Sequence, residues 1–313
     1  MIMADPARTR PPFTAEASIE ASPKQILELA EIDRLFPAGT RIYLTDTGNA
    51  PAAAQIEAAR RVTRAGYVAV PHIPVRRIES RAELEKRLGR LALDGGVRDA
   101  LVIAGGVPKP AGPFASSMDA LGTGVFADNG ITSLAVAGHP EGSPDISEEE
   151  IRKALAWKNE FAARTGADMR IVTQFSFDPR LVIAWSRRLA RAGNRLPIHV
   201  GVAGPAKITT LVKYAALCGV GASMSFLRSR GSSLAVLATS YSPEGVFGPL
   251  EAHLAEEPGS AIAQVHVYPF GGLRRTAEWL TERGTWFAGT AAAGQPEADI
   301  DAETPTVAAE AGL

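Results

Sequence analysis

Strand-like and helix-like segments alternate along almost the whole chain, and this alternation limits the possible folds more sharply than any other property of the sequence. TAEASIEA (14–21) runs into SPKQILELAEIDRLF, in which Ser22 suits the N-cap and Pro23 the first helical position. RIYLTD (41–46) runs into PAAAQIEAARRVTRAG, whose Ile56, Ala59 and Val62 fall at helical spacing. YVAVPHI (67–73) and DALVIAGG (99–106) are followed by SRAELEKRLGRLALDGG and by a longer helical segment over about 113–129. ITSLAVAGHP (131–140) leads to a helix opened by the capping box Ser147–Glu150 and closed by Gly166. ADMRIVTQFSF (167–177), LPIHVGVAG (196–204) and AIAQVHVYPF (261–270) complete eight strand candidates, each followed by a helix candidate.

Alternation of this kind requires a parallel sheet with crossover helices. Eight repeats predict closure, because an open sheet would leave two edges. The expected fold class is α/β, a (β/α)8 TIM barrel with an extra, mostly helical segment at about 222–257 ahead of the last strand. No GxGxxG turn follows an early strand, and AGGVPKPAG (104–112) has the wrong spacing for a dinucleotide-binding half. One barrel domain over 14–284 is expected, between a flexible leader at 1–13 and a disordered tail at 285–313 rich in Ala, Pro and acids.

Charge narrows the function classes. With 33 basic against 34 acidic residues the net charge is -1, which offers no footprint for nucleic acid or an anionic membrane. No apolar run approaches the roughly 20 residues of a membrane span. Cys218 is the single cysteine, so no internal disulfide or Cys-cluster metal site is available, and a reducing, cytoplasmic setting is expected.

In such a barrel the loops after the strands carry the active site. The polar residues at those strand ends are Glu20, Thr45 with Asp46, His72, His139 with Glu141, Gln174 with Asp178, and Tyr268. They come from six different strands yet face one rim, which points to an enzyme. A carboxylate such as Glu20 inside a barrel is costly unless paired or protonated. His72 suits backbone capping as well as a ligand. Asp46 suits a turn ahead of Thr47-Gly48-Asn49. His139-Pro140-Glu141 looks like half a metal site without a third ligand, so no metal is expected. Gln174 can donate and accept at once, which fits the edge of a pterin or flavin ring. SEEEIRK (147–153) and the arginines 187, 188 and 191 read as solvated helix faces.

These residues resemble those of the bacterial-type methylenetetrahydrofolate reductases, flavoprotein (β/α)8 barrels. TQFSFD (173–178) is close to the family's Thr-Gln-Phe-Phe-Phe-Asp, and GAD (166–168) stands ahead of it as in the family. SIEASP (18–23), VPHI (70–73) and AGHPEGSP (137–144) are similar to three further family segments, in matching order over roughly 14–282. The resemblance implies reduction of 5,10-methylenetetrahydrofolate to 5-methyltetrahydrofolate by NAD(P)H, with FAD as cofactor. It implies that Glu20 is the general acid, that Gln174 and Tyr268 bind substrate, and that Thr45, His72, Gly105, His139 and Glu141 contact the cofactor. A tetrahydrofolate-type substrate and a homo-oligomer are the implied partners.

Departures gather on the flavin side. The family's Arg-Gly-Asp after the fourth strand is Ala104-Gly105-Gly106 here, its tyrosine before Pro-Glu is His139, and a following histidine is Ser143. The lysine that meets FAD phosphate on the fifth helix is Ala162, and Tyr-Thr-Leu-Asn after the eighth strand is Tyr268-Pro269-Phe270-Gly271. Two routes stay open: FAD held by substituted contacts, or direct hydride transfer from NAD(P)H to the folate. A non-redox tetrahydrofolate-dependent one-carbon transfer or demethylation, and a retired barrel serving as an assembly subunit, are the alternatives.

Overall fold

The computed structural model describes residues 17–143, 146–218, 220 and 240–283. The leader and tail, and the 221–239 part of the extra segment, lie outside them. Eight parallel strands close into a barrel: β1 (Ser18–Ala21), β2 (Arg41–Leu44), β3 (Val68–Pro74), β4 (Asp99–Ile103), β5 (Ser133–Gly138), β6 (Asp168–Phe175), β7 (Ile198–Ala203) and β10 (Ile262–Tyr268). A two-residue antiparallel pair, β8 (Ala206–Lys207) with β9 (Ser240–Tyr241), stands apart from it. The (β/α)8 barrel is therefore the fold of this chain. Closure is made by β1, which pairs with β2 on one side and β10 on the other.

The connecting helices are α1 (Pro23–Glu28), α2 (Ile32–Leu35), α3 (Ala52–Arg64), α4 (Arg81–Leu93), α5 (Ser117–Leu121), α6 (Val125–Asp128), α7 (Glu148–Thr165) and α8 (Pro179–Arg191). After them come α9 (Ile208–Leu217), α10 (Glu244–Glu256) and α11 (Leu273–Glu282). Local signals set several of their ends. Ser22 caps α1 in a full capping box with Gln25, and Ser147 does the same for α7 with Glu150. Gly166 ends α7 in the left-handed conformation at φ 71°, which costs glycine nothing. The single helix expected over 113–129 is instead two, because Gly124 takes a left-handed φ of 79° between α5 and α6.

The twofold period of strands sends alternate residues to opposite faces. Ile19, Ile42, Val102, Val136, Ile171, Val200 and Val265 point outward into the main core and meet Ile26, Ile56, Leu84, Leu88 and Trp185 from the helices. Each such side chain contributes about 1.5–3 kcal/mol on burial. The opposite parity faces the barrel axis, where a smaller apolar layer of Val70, Leu101, Ala135 and Val172 surrounds Tyr43. Below it, Arg170 and Asp99 close the barrel floor, one guanidinium nitrogen donating to both carboxylate oxygens at 2.8 and 3.0 Å. Above it lies the polar rim.

Candidate functional site

Strand parity explains which rim residues converge. Ser18 and Glu20 share a face of β1, and His266 and Tyr268 share the corresponding face of β10; Ser18 lies in register with His266. Glu20 is in turn level with Tyr43 on β2. On β6 the alternation is shifted by a bulge, since Val172 pairs with His199 but Phe175 pairs with Gly201. Gln174 keeps the inward parity of Arg170 and Val172, while the extra residue turns Phe175 to the cluster that holds Tyr268.

A cavity opens there, lined among others by Glu20, His72, His139, Gln174 and Tyr268. A second, smaller recess shares Glu20 and Tyr268 and adds Thr45, Ser22 and Phe270. Six expected site residues thus come together: Glu20, Thr45, His72, His139, Gln174 and Tyr268. Two do not line these cavities. Gly105 takes φ 83° in a turn packed on β3, and Glu141 is half-buried in the loop after β5. Asp46 follows the turn reading, accepting from the Gly48 N–H at 2.9 Å and pairing with Arg87. Asp178 is the N-cap of α8 and is gripped by Arg180. Among the described residues no cluster of three potential metal ligands occurs, and no helix is long and apolar enough to cross a membrane.

Glu20 lies between two imidazoles. His72 Nε2 stands 3.6 Å and His266 Nε2 3.7 Å from its Oε2, contacts longer than hydrogen bonds. Burial raises the Glu20 carboxyl to about 7, and the nearby His72 only partly offsets this. The same burial keeps the imidazoles neutral: His72 is lowered, and His266 falls to about 3 with Arg170 as the second cause. His266 Nδ1 is 3.0 Å from Ser18 Oγ, which also reaches the Val265 carbonyl at 3.4 Å. If the hydroxyl proton goes to that carbonyl, Oγ accepts from Nδ1–H and the Nε2 lone pair faces Glu20. The proton of this group then belongs to the carboxyl.

Tyr268 forms a fixed wall. Its hydroxyl donates to the Thr173 carbonyl at 3.0 Å, and Phe175, Phe270 and His266 pack around its ring. Gln174 turns its Oε1 to the Phe175 N–H at 3.1 Å, leaving its NH2 end without a partner among the described residues. A donor is therefore presented at the mouth opposite the acid.

Sequence reasoning missed three features. Ser18 and His266 carry the same parity as Glu20 and Tyr268, a signal that was available. Lys158 interrupts the apolar stripe of Ile151, Leu155 and Phe161 on α7; it is fully buried, its Nζ has no hydrogen-bond partner, and burial lowers it to about 8. Burial, then Lys158, lowers His139 to about 4.

The buried histidines give a stability prediction. His139 at about 4 and His266 at about 3 sit below the ordinary 6.5, and His72 and His199 are lowered too. Between about pH 6.5 and 4 the unfolded chain binds protons that the folded chain refuses, so stability present above 6.5 is lost on acidification. Glu20, raised from 4.5 to about 7, works the other way, but it is one group against four. At about 1.4 kcal/mol per unit, acidifying from pH 7 to 5 should lower Tm by roughly 10 °C. A Tm that stays level or rises over that interval contradicts this account of the interior.

No family model matches the chain. Among solved structures it is similar to an uncharacterized protein from Clostridium thermocellum that binds two copies of 5-methyl-5,6,7,8-tetrahydrofolic acid. The TM-score is 0.51 at 11% identity, over 88% of this chain and 96% of that one. Weaker similarity extends to dihydropteroate synthase from Thermus thermophilus, with TM-score 0.42 and 14% identity over 86% and 92%. The carboxyl transferase domain of Rhizobium etli pyruvate carboxylase gives 0.46 and 10% over 88% and 47%. At 11% identity the first of these likenesses bears on the fold alone, the barrel described above.

Proposed function

We propose that the protein is a tetrahydrofolate-dependent enzyme that reduces the one-carbon bridge of 5,10-methylenetetrahydrofolate to a methyl group, with a reduced nicotinamide dinucleotide as hydride donor. The observation that carries this is Glu20: a carboxyl kept protonated to about pH 7, at the wall of a cavity whose far side presents the Gln174 amide. The Clostridium thermocellum neighbour's methyltetrahydrofolate, and the Thr173-Gln174-Phe175 and Ser18-Ile19-Glu20 motifs, support the same ligand class.

Glu20 gives its proton to N10 as the bond from the bridge carbon to N10 breaks and its electron pair goes to N10. The bridge is left as a methylene iminium on N5. Hydride from the nicotinamide C4 then reaches that carbon, giving the N5-methyl product and oxidised nicotinamide. Gln174 orients the pterin edge, and Tyr268 walls the space so that donor and acceptor meet at reacting distance. The oxidised dinucleotide leaves, and Glu20 takes up a proton from solvent.

A flavin fits these residues poorly. A side chain at 105 would meet Pro74 Cβ at 2.7 Å in a turn already at φ 83°, so no contact can grow from that position. No step is routed through FAD.

The test is oxidation of NADH or NADPH by flavin-free protein on adding methylenetetrahydrofolate, with 5-methyltetrahydrofolate identified by mass. Folate binding without nicotinamide oxidation would favour the non-redox one-carbon reading; absence of folate binding would favour the retired barrel. Gln174→Ala should raise the folate KM about tenfold, the loss of one ring-directed hydrogen bond, with little change in the KM for the dinucleotide. Equal changes in both would contradict the role given to Gln174.

A further inference from the structure

The interior of a (β/α)8 barrel is ordinarily filled by branched apolar layers. Here one line of polar side chains runs from the floor to the rim. Asp99 grips Arg170 at 2.8 and 3.0 Å, and Arg41 approaches the same carboxylate at 3.2 Å. Arg170 Nη1 donates to Ser133 Oγ at 3.0 Å, and its Nε donates to the Tyr43 hydroxyl at 2.8 Å. The Tyr43 ring meets His266 edge to face at 4.5 Å, and His266 faces Glu20 at 3.7 Å. Arg170 is only 3% and Asp99 only 2% exposed, so the pair is desolvated. A buried ion pair is often no more stabilising than apolar residues of the same volume, so fold stability alone does not account for it.

We propose that Arg170 is a positioning residue for the acid: from the barrel floor, through Tyr43 and His266, it decides that the shared proton rests on Glu20 and not on His266. This rests on Glu20 being the acid of the reaction above. Geometry supplies the first half of the argument. Tyr43 is tethered to Arg170, and its ring buttresses His266 against the Ser18 hydroxyl, which fixes the direction of Nε2. Electrostatics supplies the second. Burial is the larger reason that His266 and His199 resist protonation, and the guanidinium adds to it by disfavouring a second positive charge on each. His266 therefore stays neutral, and a Glu20 carboxylate would have no imidazolium beside it to offset its burial. Without the Arg170 charge His266 could take the proton, and a His266–Glu20 ion pair would hold the carboxyl in its inactive, ionised form.

The charged and titratable groups around this couple come from several elements. His72 on β3, Tyr268 on β10 and Cys218 after α9 face Glu20; Asp46 acts on His72. Arg170, Tyr43, His72, His199, Tyr268 and Glu20 surround His266. Arg170 is not among the groups that shift Glu20 directly, so its influence passes through the imidazole.

The experiment has two readouts. Side-chain nitrogen NMR of the full-length protein, with the His266 signal assigned by its loss in His266→Gln, needs no substrate. In the wild type, His266 should stay neutral from pH 8 to 5; a positively charged His266 in that range overturns the proposal whatever reaction the protein performs. In Arg170→Gln, His266 should begin to titrate, and the pH above which kcat/KM falls should move down by about one unit. Arg170→Lys keeps the charge and should restore both. A folded Arg170→Gln with an unmoved pH limb and a neutral His266 also overturns it. If Arg170→Gln does not fold, the wild-type and Arg170→Lys titrations decide alone. If no nicotinamide is oxidised by any variant, the functional reading fails while the nitrogen spectra still answer for Arg170.

Discussion

Glu20→Gln should lower turnover by about 10²–10⁴-fold, the range over which a positioned general acid acts. The substitution keeps the shape of the side chain and removes the proton it can give. The amide also has no buried charge to accommodate, so stability should hold or rise. Binding of methyltetrahydrofolate and of the dinucleotide should stay within a few-fold, because neither product-state ligand needs that proton. Wild-type kcat/KM should decline above about pH 7, where burial has placed the carboxyl, and the residual rate of the variant should lose that decline. Turnover by Glu20→Gln at the wild-type rate would remove Glu20 from the chemistry. A fall caused by lost folate binding instead would make it a binding residue.

Gly201→Ala should have the largest effect on structure for the smallest change in composition. A Cβ at 201 would lie 2.3 Å from the Thr173 carbonyl oxygen and 2.7 Å from the Gln174 carbonyl carbon. Both are backbone atoms, so relief requires β6 itself to move. At that place the Gly201 N–H donates to Thr173 Oγ1 at 2.8 Å, Thr173 Oγ1 donates to the Gln174 carbonyl at 2.9 Å, and the Tyr268 hydroxyl donates to the Thr173 carbonyl. One methyl group therefore presses on the bulge, on Gln174 and on the Tyr268 anchor together. Overpacking of this kind costs about 3 kcal/mol, several degrees in Tm, and folate affinity should fall with it. Unaltered Tm and folate KM would mean that the bulge is softer than its hydrogen bonds imply.

Much of this was readable beforehand because it depends on local rules. Alternation fixed the number of strands, and the cap at Ser147 and the stop at Gly166 follow from residue chemistry within one helical turn. The rim position of Glu20, His72 and Tyr268 needed only strand ends and parity. Interactions between remote positions were not readable. Arg170 and Asp99 are 71 residues apart, and only closure of the barrel brings them together so that neither charge is buried alone. The bulge on β6 depends on β7, and Gly105 reveals its turn only once Pro74 is seen beside it. Lys158 interrupts a stripe whose other members are apolar, a clue that helical phase alone could have supplied.

Closure through β1 and β10 also has a temporal side. Ser18 and His266, which touch, are separated by 248 positions. At the usual pace of translation, about 5–20 residues per second, the acid emerges roughly 10–50 s before its histidine exists. Until then Glu20 has water and no His266 beside it, and behaves as an ordinary carboxylate. A chain that stops short of Ile262 would carry every other part of the rim and still lack a proton donor poised for neutral pH. The burial of Glu20 is thus completed by β10, the last of the eight barrel strands to be made, on a residue among the first.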